Sequence, residues 1–339
     1  MYDIFDYINY YKEADLDDIK WNVMDNLVCA ILVYLPVDEF ENRKDFAHFC
    51  KYAEKYEKQK NSGSIVPLAF KILKQIKGAV RYQDMYIYDF ENDRSNRAQF
   101  GAMTVRIRKN TVVVYKGTDH SIIGWMENFR IAYEYPTHTH TLAIEYLKKT
   151  INPLRDRNIY VTGHSKGGNL AVISAMEMDN RIFRNIKKVY NFDGPGLRKE
   201  EFIGVKYKRL EGKLENIVPK GSVVGMLLYN RDYRVVDTTP ASMNDHHPDT
   251  WRIFGEFFVP STLSRVSMHI HEKTIAGVEK FTYEQVEQAF ETLFQNIERE
   301  YTSDLEFSPD LVLSFIKNMK DVDEEIRSDI YDIFKELLW

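Results

Sequence analysis

The chain has 339 residues, 44% of them hydrophobic and 29% charged, with 46 Lys and Arg against 51 Asp and Glu, a formal net charge of -5. That composition suits a large packed core and excludes long disorder. The mild acidic excess gives no electrostatic footing for nucleic acid, whose phosphates need clustered Lys and Arg, and the aromatic share of 14% suits both core filling and pockets for apolar ligands.

From the N-terminus, Met1-Tyr-Asp-Ile-Phe-Asp-Tyr7 is acidic and aromatic and lacks the basic start and apolar run of a signal peptide. The apolar stretch from Met24 to Val37 contains Asp25 and Asn26 and is too short to span a bilayer. No transmembrane segment is expected, and the expected location is cytoplasmic. Cys29 and Cys50, the two cysteines, lie outside any CxxC or nucleophile motif and are expected to be buried thiols. Leu27, Ala30, Ile31 and Tyr34 recur at helical spacing, Phe46 to Tyr56 continues in that style, and Asn61-Ser-Gly-Ser64 reads as a loop.

Residues 65–273 then alternate strand and helix patterns. Met103–Arg108 and Thr111–Lys116 are β-branched runs around Lys109-Asn110, a hairpin signal. A helix is expected from Leu142 to Ile151, ending before Pro153, and short strands at Asn158–Thr162, Val189–Phe192 and Leu214–Val218. A further helix, Asn169 to Met178, lies between the first two of these strands. Strand, helix, strand in this order argues an α/β fold with a mainly parallel sheet flanked by helices. His269-Ile-His271 alternates as a strand would; with no further His, Cys or Asp cluster beside it, no metal is expected, and these histidines, like His138 and His140, read as surface residues. Residues 274–339 read as helical again, over Phe281–Tyr301 and Leu311–Trp339. The expected organisation is thus an N-terminal helical segment 1–64, a core 65–273 and a C-terminal helical segment 274–339.

Gly163-His-Ser-Lys-Gly167 carries the chemistry. The pattern G-x-S-x-G is weak alone, but here the strand Ile159–Thr162 runs into the first glycine and a helix pattern follows at once, the setting of a nucleophile elbow. Such a turn is too sharp for side chains at positions 163 and 167, and the helix behind it aims N–H groups at developing negative charge. A phosphate loop would need G-x-x-x-x-G-K-[ST], which is absent. Ser165 is therefore the candidate nucleophile of a hydrolase that needs no cofactor.

Thr111-Val-Val-Val-Tyr-Lys-Gly-Thr118, followed by Trp125, is similar to the oxyanion-loop region of class 3 lipases. Ala102-Met-Thr104, Tyr115-Lys-Gly-Thr-Asp119, Gly124-Trp-Met-Glu-Asn-Phe129, Gly163–Ala171, Asp193-Gly-Pro-Gly196, Ile217-Val-Pro219 and Val224-Gly-Met-Leu227 together resemble the bacterial Mbeg1-like family over roughly Asp25 to Trp251. The resemblance implies an α/β-hydrolase-like fold related to class 3 lipases and names no substrate. The likeness of the Thr111–Thr118 segment to class 3 lipases implies that the backbone N–H groups of Thr118 and Lys166 form an oxyanion hole, to which the Thr118 hydroxyl could add a third donor; an ordinary strand-end turn is the alternative. Asn128 departs from the family's Asp and puts a local polar contact in question.

In such hydrolases the base follows the serine in the chain, which leaves His246, His247, His269 and His271. Asn244-Asp-His-His-Pro-Asp-Thr-Trp251 resembles the family segment that carries the base and so points to His246, with His247 as rival. The acid expected is Asp193, in a position that resembles the arrangement of pancreatic-type lipases; Asp232, Asp237 and Asp245 are the alternatives. Residues 121–133 follow the oxyanion residue directly and include Ile122, Trp125 and Phe129, an apolar set for an acyl pocket or lid, or simply the inner face of a helix. The expected activity is hydrolysis of a carboxylic ester, small or lipid, through an acyl-enzyme. Acyl transfer, peptide cleavage by the same triad, or a non-catalytic protein-binding module are the alternatives, and the pattern is compatible with a homo-oligomer.

Overall fold

The computed structural model describes residues 2–37, 44–57, 65–95, 98–118, 127–239 and 245–300, together with Glu324, Ser328 and residues 330–332. Its centre is an eight-stranded sheet whose strands lie side by side in chain order: β1 (Lys44–Asp45), β2 (Met85–Ser95), β3 (Ala98–Ile107), β4 (Asn110–Tyr115), β5 (Asn158–His164), β6 (Ile186–Phe192), β7 (Leu214–Pro219) and β8 (Tyr233–Val236). β1 to β4 form an antiparallel meander; β4 to β8 are parallel. β4, the run Asn-Thr-Val-Val-Val-Tyr, is buried at every position because helices cover both sheet faces. The expected hairpin is the β3–β4 pair, with Ile107 opposite Asn110.

β2 escapes a reading by alternation. Met85 and Ile87 point inward, then the register shifts between Tyr88 and Glu91, and Phe90 is the next buried residue. A bulge that changes the parity of the inward side chains erases the period of two.

One face of the sheet is covered by the N-terminal helices α1 (Ile4–Tyr11), α2 (Val23–Leu32) and α4 (Ile65–Ile76), with α3 (Phe46–Ala53) beside β2. The other is covered by α5 (His138–Thr150) and α6 (Lys166–Met176). Each face has its own apolar cluster. α2 is buried along its whole length, sheet on one side and α4 on the other, and Asn22 caps its N-terminus. Cys29 and Cys50 are free, buried thiols, and burial pushes Cys50 up to about 12.

Asp25 looks out of place in so apolar a helix, but it is fully partnered. Arg81 donates to both its oxygens at 2.8 and 2.7 Å, Tyr82 at 2.9 Å and Tyr7 at 3.2 Å. The group ties α1, α2 and the approach to β2 together. Asp25→Ala would leave the buried Arg81 guanidinium with no counter-charge and only the Ile19 and Lys20 carbonyls as acceptors, so it should lower unfolding free energy by about 3–5 kcal/mol in denaturant melts. A loss under about 1 kcal/mol would mean that Arg81 finds other partners.

Two sequence expectations need correction. His269 and His271 lie not on a strand but on the helix α7 (Arg265–Lys280), which runs across the expected boundary at residue 273. Ser264 caps it, and Ser267, Thr274 and Gly277 form its buried stripe, small residues that give no strong apolar signal. His140 is not a surface residue: it is buried at the start of α5, with Nε2 at 2.9 Å from Asn169 Oδ1, and burial lowers it to about 4. α8 (Tyr283–Glu300) occupies the place expected for the helix Phe281–Tyr301. The helix expected over Leu311–Trp339 lies almost wholly outside the described residues. No described helix is long and apolar enough to cross a membrane.

Candidate active site

The C-terminal ends of β4, β5 and β6 converge on Ser165. β5 ends at His164, Ser165 turns the chain with φ +58° and ψ -134°, and α6 begins at Lys166. A positive φ is unfavourable for serine and is held here by its surroundings. A Cβ on Gly163 would lie 2.2 Å from the Gly167 carbonyl, and one on Gly167 would lie 2.2 Å from the Tyr115 carbonyl oxygen. The first turn of α6 therefore rests on the end of β4, which only glycine permits. The strand–turn–helix geometry expected at Gly163–Gly167 is the one the backbone adopts.

The loop leaving β4 runs against Ser165. A Cβ on Gly117 would be 3.0 Å from Ser165 Cβ and 2.0 Å from the Tyr34 hydroxyl. Thr118 follows directly, and Lys166 is the first residue of α6, where a backbone N–H has no partner within the helix. The Thr118 hydroxyl donates to Asn128 Oδ1 at 3.0 Å. Asn128 thus makes the local polar contact that its identity put in question, and the hydroxyl is engaged in a bond of its own.

Lys166 has a second feature that sequence reasoning did not foresee. Its side chain is buried, and Nζ donates to the Gln99 carbonyl at 2.8 Å and to Glu127 Oε2 at 3.0 Å. Glu127 and Asn128 together tie the chain after residue 126 to the elbow and to Thr118. Trp125 and Ile122 lie outside the described residues. Phe129 is buried and stacks on Phe290 of α8 with ring centroids 4.7 Å apart, and Arg130 pairs with Glu291 at 2.9 Å.

Asp193 follows β6 with φ +50°, a conformation Asp tolerates better than most residues. It is fully buried. Oδ1 accepts from Ser222 Oγ at 2.5 Å and from the Gly225 N–H at 3.1 Å, while Oδ2 lies 2.6 Å from His246 Nδ1. A carboxylate only accepts, so Nδ1 carries the hydrogen and the lone pair of His246 is on Nε2. Ser222 was not foreseen: a lone serine in a Pro-Lys-Gly-Ser loop carries no signal until the fold brings it 29 residues back to Asp193.

The loop bearing His246 is clamped by its neighbour. Asp245 Oδ2 accepts from the Gly221 N–H at 2.9 Å and from Thr238 Oγ1 at 3.0 Å, and its carbonyl accepts from Trp251 Nε1 at 2.7 Å. The other candidates are engaged elsewhere. His247 faces Asp249 at 3.3 Å, which holds that carboxyl below the usual range. Asp237 pairs with Arg252 at 2.7 Å, Asp232 sits at the surface beside Arg231, and His271 donates to the Met226 carbonyl at 2.9 Å. Among the described residues no cluster of three His, Cys, Asp or Glu could hold a metal ion.

A search of the curated proteins found no match. Among solved structures, the chain is similar to the Rhizomucor miehei lipase propeptide complex at 18% identity and a TM-score of 0.33, over 45% of this chain and 57% of that one. It therefore spans little more than half of that lipase's length. A fungal lipase–inhibitor complex matches at 16% identity and a TM-score of 0.34, over 50% of this chain and 69% of the other. The M37 lipase matches at 17% and 0.37, over 59% and 68%. The family described as Mbeg1-like matches residues 76–295, well over half of the chain and every residue of the site described above except Tyr34. By that match, the chain belongs to the Mbeg1-like family.

Proposed function

We propose that the protein is a serine hydrolase that cleaves a carboxylic ester through an acyl-enzyme on Ser165. The observation that carries this reading is the 2.6 Å bond from His246 Nδ1 to the buried Asp193, beside a serine held at φ +58° on a strand–turn–helix elbow. Structural networks rarely need a strained serine, a buried acid and a half-exposed histidine at one sheet edge together; acyl transfer chemistry needs all three.

In the proposed reaction His246 Nε2 takes the Ser165 proton as Oγ attacks the carbonyl carbon. The carbonyl electron pair moves onto oxygen, where the N–H groups of Thr118 and Lys166 donate to it. Collapse expels the alcohol, protonated by His246, and leaves the acyl group on Oγ. Water then gives a proton to His246, attacks the acyl carbon and releases the acid, and Ser165 regains its proton. The start of the segment 121–133 is proposed to border the acyl group, with Ile122 and Trp125 as its apolar contacts, because it follows Thr118 directly in the chain; Phe129 is instead taken up by its stack on Phe290.

The test is covalent labelling of the intact protein with a fluorophosphonate, followed by p-nitrophenyl esters of graded chain length. One equivalent of label at Ser165, with turnover of at least one ester, is the expected result. Absence of labelling at any concentration would favour a hydrolase fold used only for binding.

A further inference from the structure

His164 sits between the elbow's first glycine and the nucleophile, a position whose side chain the elbow geometry does not itself require. Here that side chain is a buried imidazole with a polar partner at each nitrogen. Nε2 lies 2.8 Å from the backbone carbonyl of His246, and Nδ1 lies 3.3 Å from the Tyr34 hydroxyl. A carbonyl only accepts, so Nε2 carries the hydrogen. Burial, with His246 close by, pushes His164 well below the usual histidine range, so the ring is neutral and Nδ1 is an acceptor. Tyr34 therefore donates at that contact, its hydroxyl proton shared with the His164 carbonyl oxygen, also at 3.3 Å. The rings of His164 and His246 face each other with centroids 4.5 Å apart and an interplanar angle of 34°.

These contacts form one directed chain. Tyr34, in the turn that ends α2, donates to His164; His164 donates to the main chain of His246; the His246 side chain donates to Asp193. The elbow and the loop carrying the base are 82 residues apart in sequence, and the 2.8 Å bond joins them directly. We propose that His164 is a positioning residue for the base, fixing the His246 backbone and ring plane relative to Ser165, and that Tyr34 from the N-terminal helical layer holds His164 in the tautomer that does so. The inference rests on the serine-hydrolase reading above.

Three variants of the full chain test it, His164→Phe, His164→Gln and Tyr34→Phe, each followed by kcat and KM on a p-nitrophenyl ester, fluorophosphonate labelling rate and melting temperature. His164→Phe keeps the ring volume and loses the donor; kcat should fall by about tenfold or more with KM within about twofold, because the base is misplaced and binding is not. His164→Gln puts an amide donor near the place of imidazole Nε2 and should recover most of that loss. Tyr34→Phe removes one oxygen and should lower kcat about three- to tenfold with little change in melting.

Equal losses in His164→Gln and His164→Phe would overturn the proposal, since packing alone would then explain them. So would wild-type kcat in Tyr34→Phe, a variant small enough to fold if His164→Phe does not. If the wild-type protein itself takes no label at Ser165, the hydrolase reading fails first and separately.

Discussion

Ser165→Ala should abolish fluorophosphonate labelling and lower kcat on any ester substrate by about 10⁶, the scale expected when the nucleophile of a triad is deleted. The change removes one oxygen whose hydroxyl caps nothing in α6, and alanine meets the same φ of +58° that serine already endures. Folding should therefore be untouched, and the melting temperature should stay within about 2–4 °C of wild type, less than 1–2 kcal/mol of stability for a chain of this size. Loss of labelling without loss of stability is what separates a nucleophile from a serine that merely packs. The measurement is intact mass after labelling, with a peptide map for the wild type. Stoichiometric label on the Ser165→Ala protein would assign the nucleophile elsewhere and remove the basis for the acyl-enzyme.

Much of this site is legible in the sequence because it is local. Gly163, Ser165 and Gly167 lie within five residues, and the flanking strand and helix announce the turn that needs them. The hairpin and the parallel strands are legible for the same reason, since each is a short β-branched run between turn signals. What is not legible is made of pairs far apart in the chain. Ser222 meets Asp193, Glu127 meets Lys166, and Tyr34 meets His164 across 130 residues. None carries a local pattern; each is a single polar residue whose partner only the sheet order supplies. The histidines show the opposite failure. The spacing of His269 and His271 imitates a strand, yet Ser264 and the small buried stripe of α7 decide the matter. His140 reads as surface because its partner, Asn169, comes from the next helix. The N-terminal helices read as an addition because a sequence shows their apolar faces but not what they cover. In the fold they cover one face of the sheet, and Tyr34 reaches the elbow from there.

Asp193→Asn should lower kcat by about 10⁴ while leaving the fold in place. Asparagine has the shape of aspartate and tolerates the positive φ of +50° at this position. Its amide oxygen must face the Gly225 N–H, because an NH₂ group there would set donor against donor at the site where Oδ1 now accepts from Gly225 at 3.1 Å and Ser222 at 2.5 Å. That choice turns the amide NH₂ toward His246 Nδ1, where Oδ2 now accepts at 2.6 Å. His246 must then accept at Nδ1 and carry its hydrogen on Nε2, the atom that has to take the serine proton. The base is still present, but in the wrong tautomer. Ser222 and Gly225 thus convert a single-atom change into a defined protonation state, and the loss should appear in kcat far more than in KM. Because the three residues act as one unit, Asp193→Asn added to Ser165→Ala should cost little more than Ser165→Ala alone. The check is kcat on one p-nitrophenyl ester for both single variants and the double, with melting curves for each. An Asp193→Asn variant within about tenfold of wild type would show that the acid lies elsewhere, and Asp245, which clamps the loop through Gly221 and Thr238, would be the next carboxylate to replace.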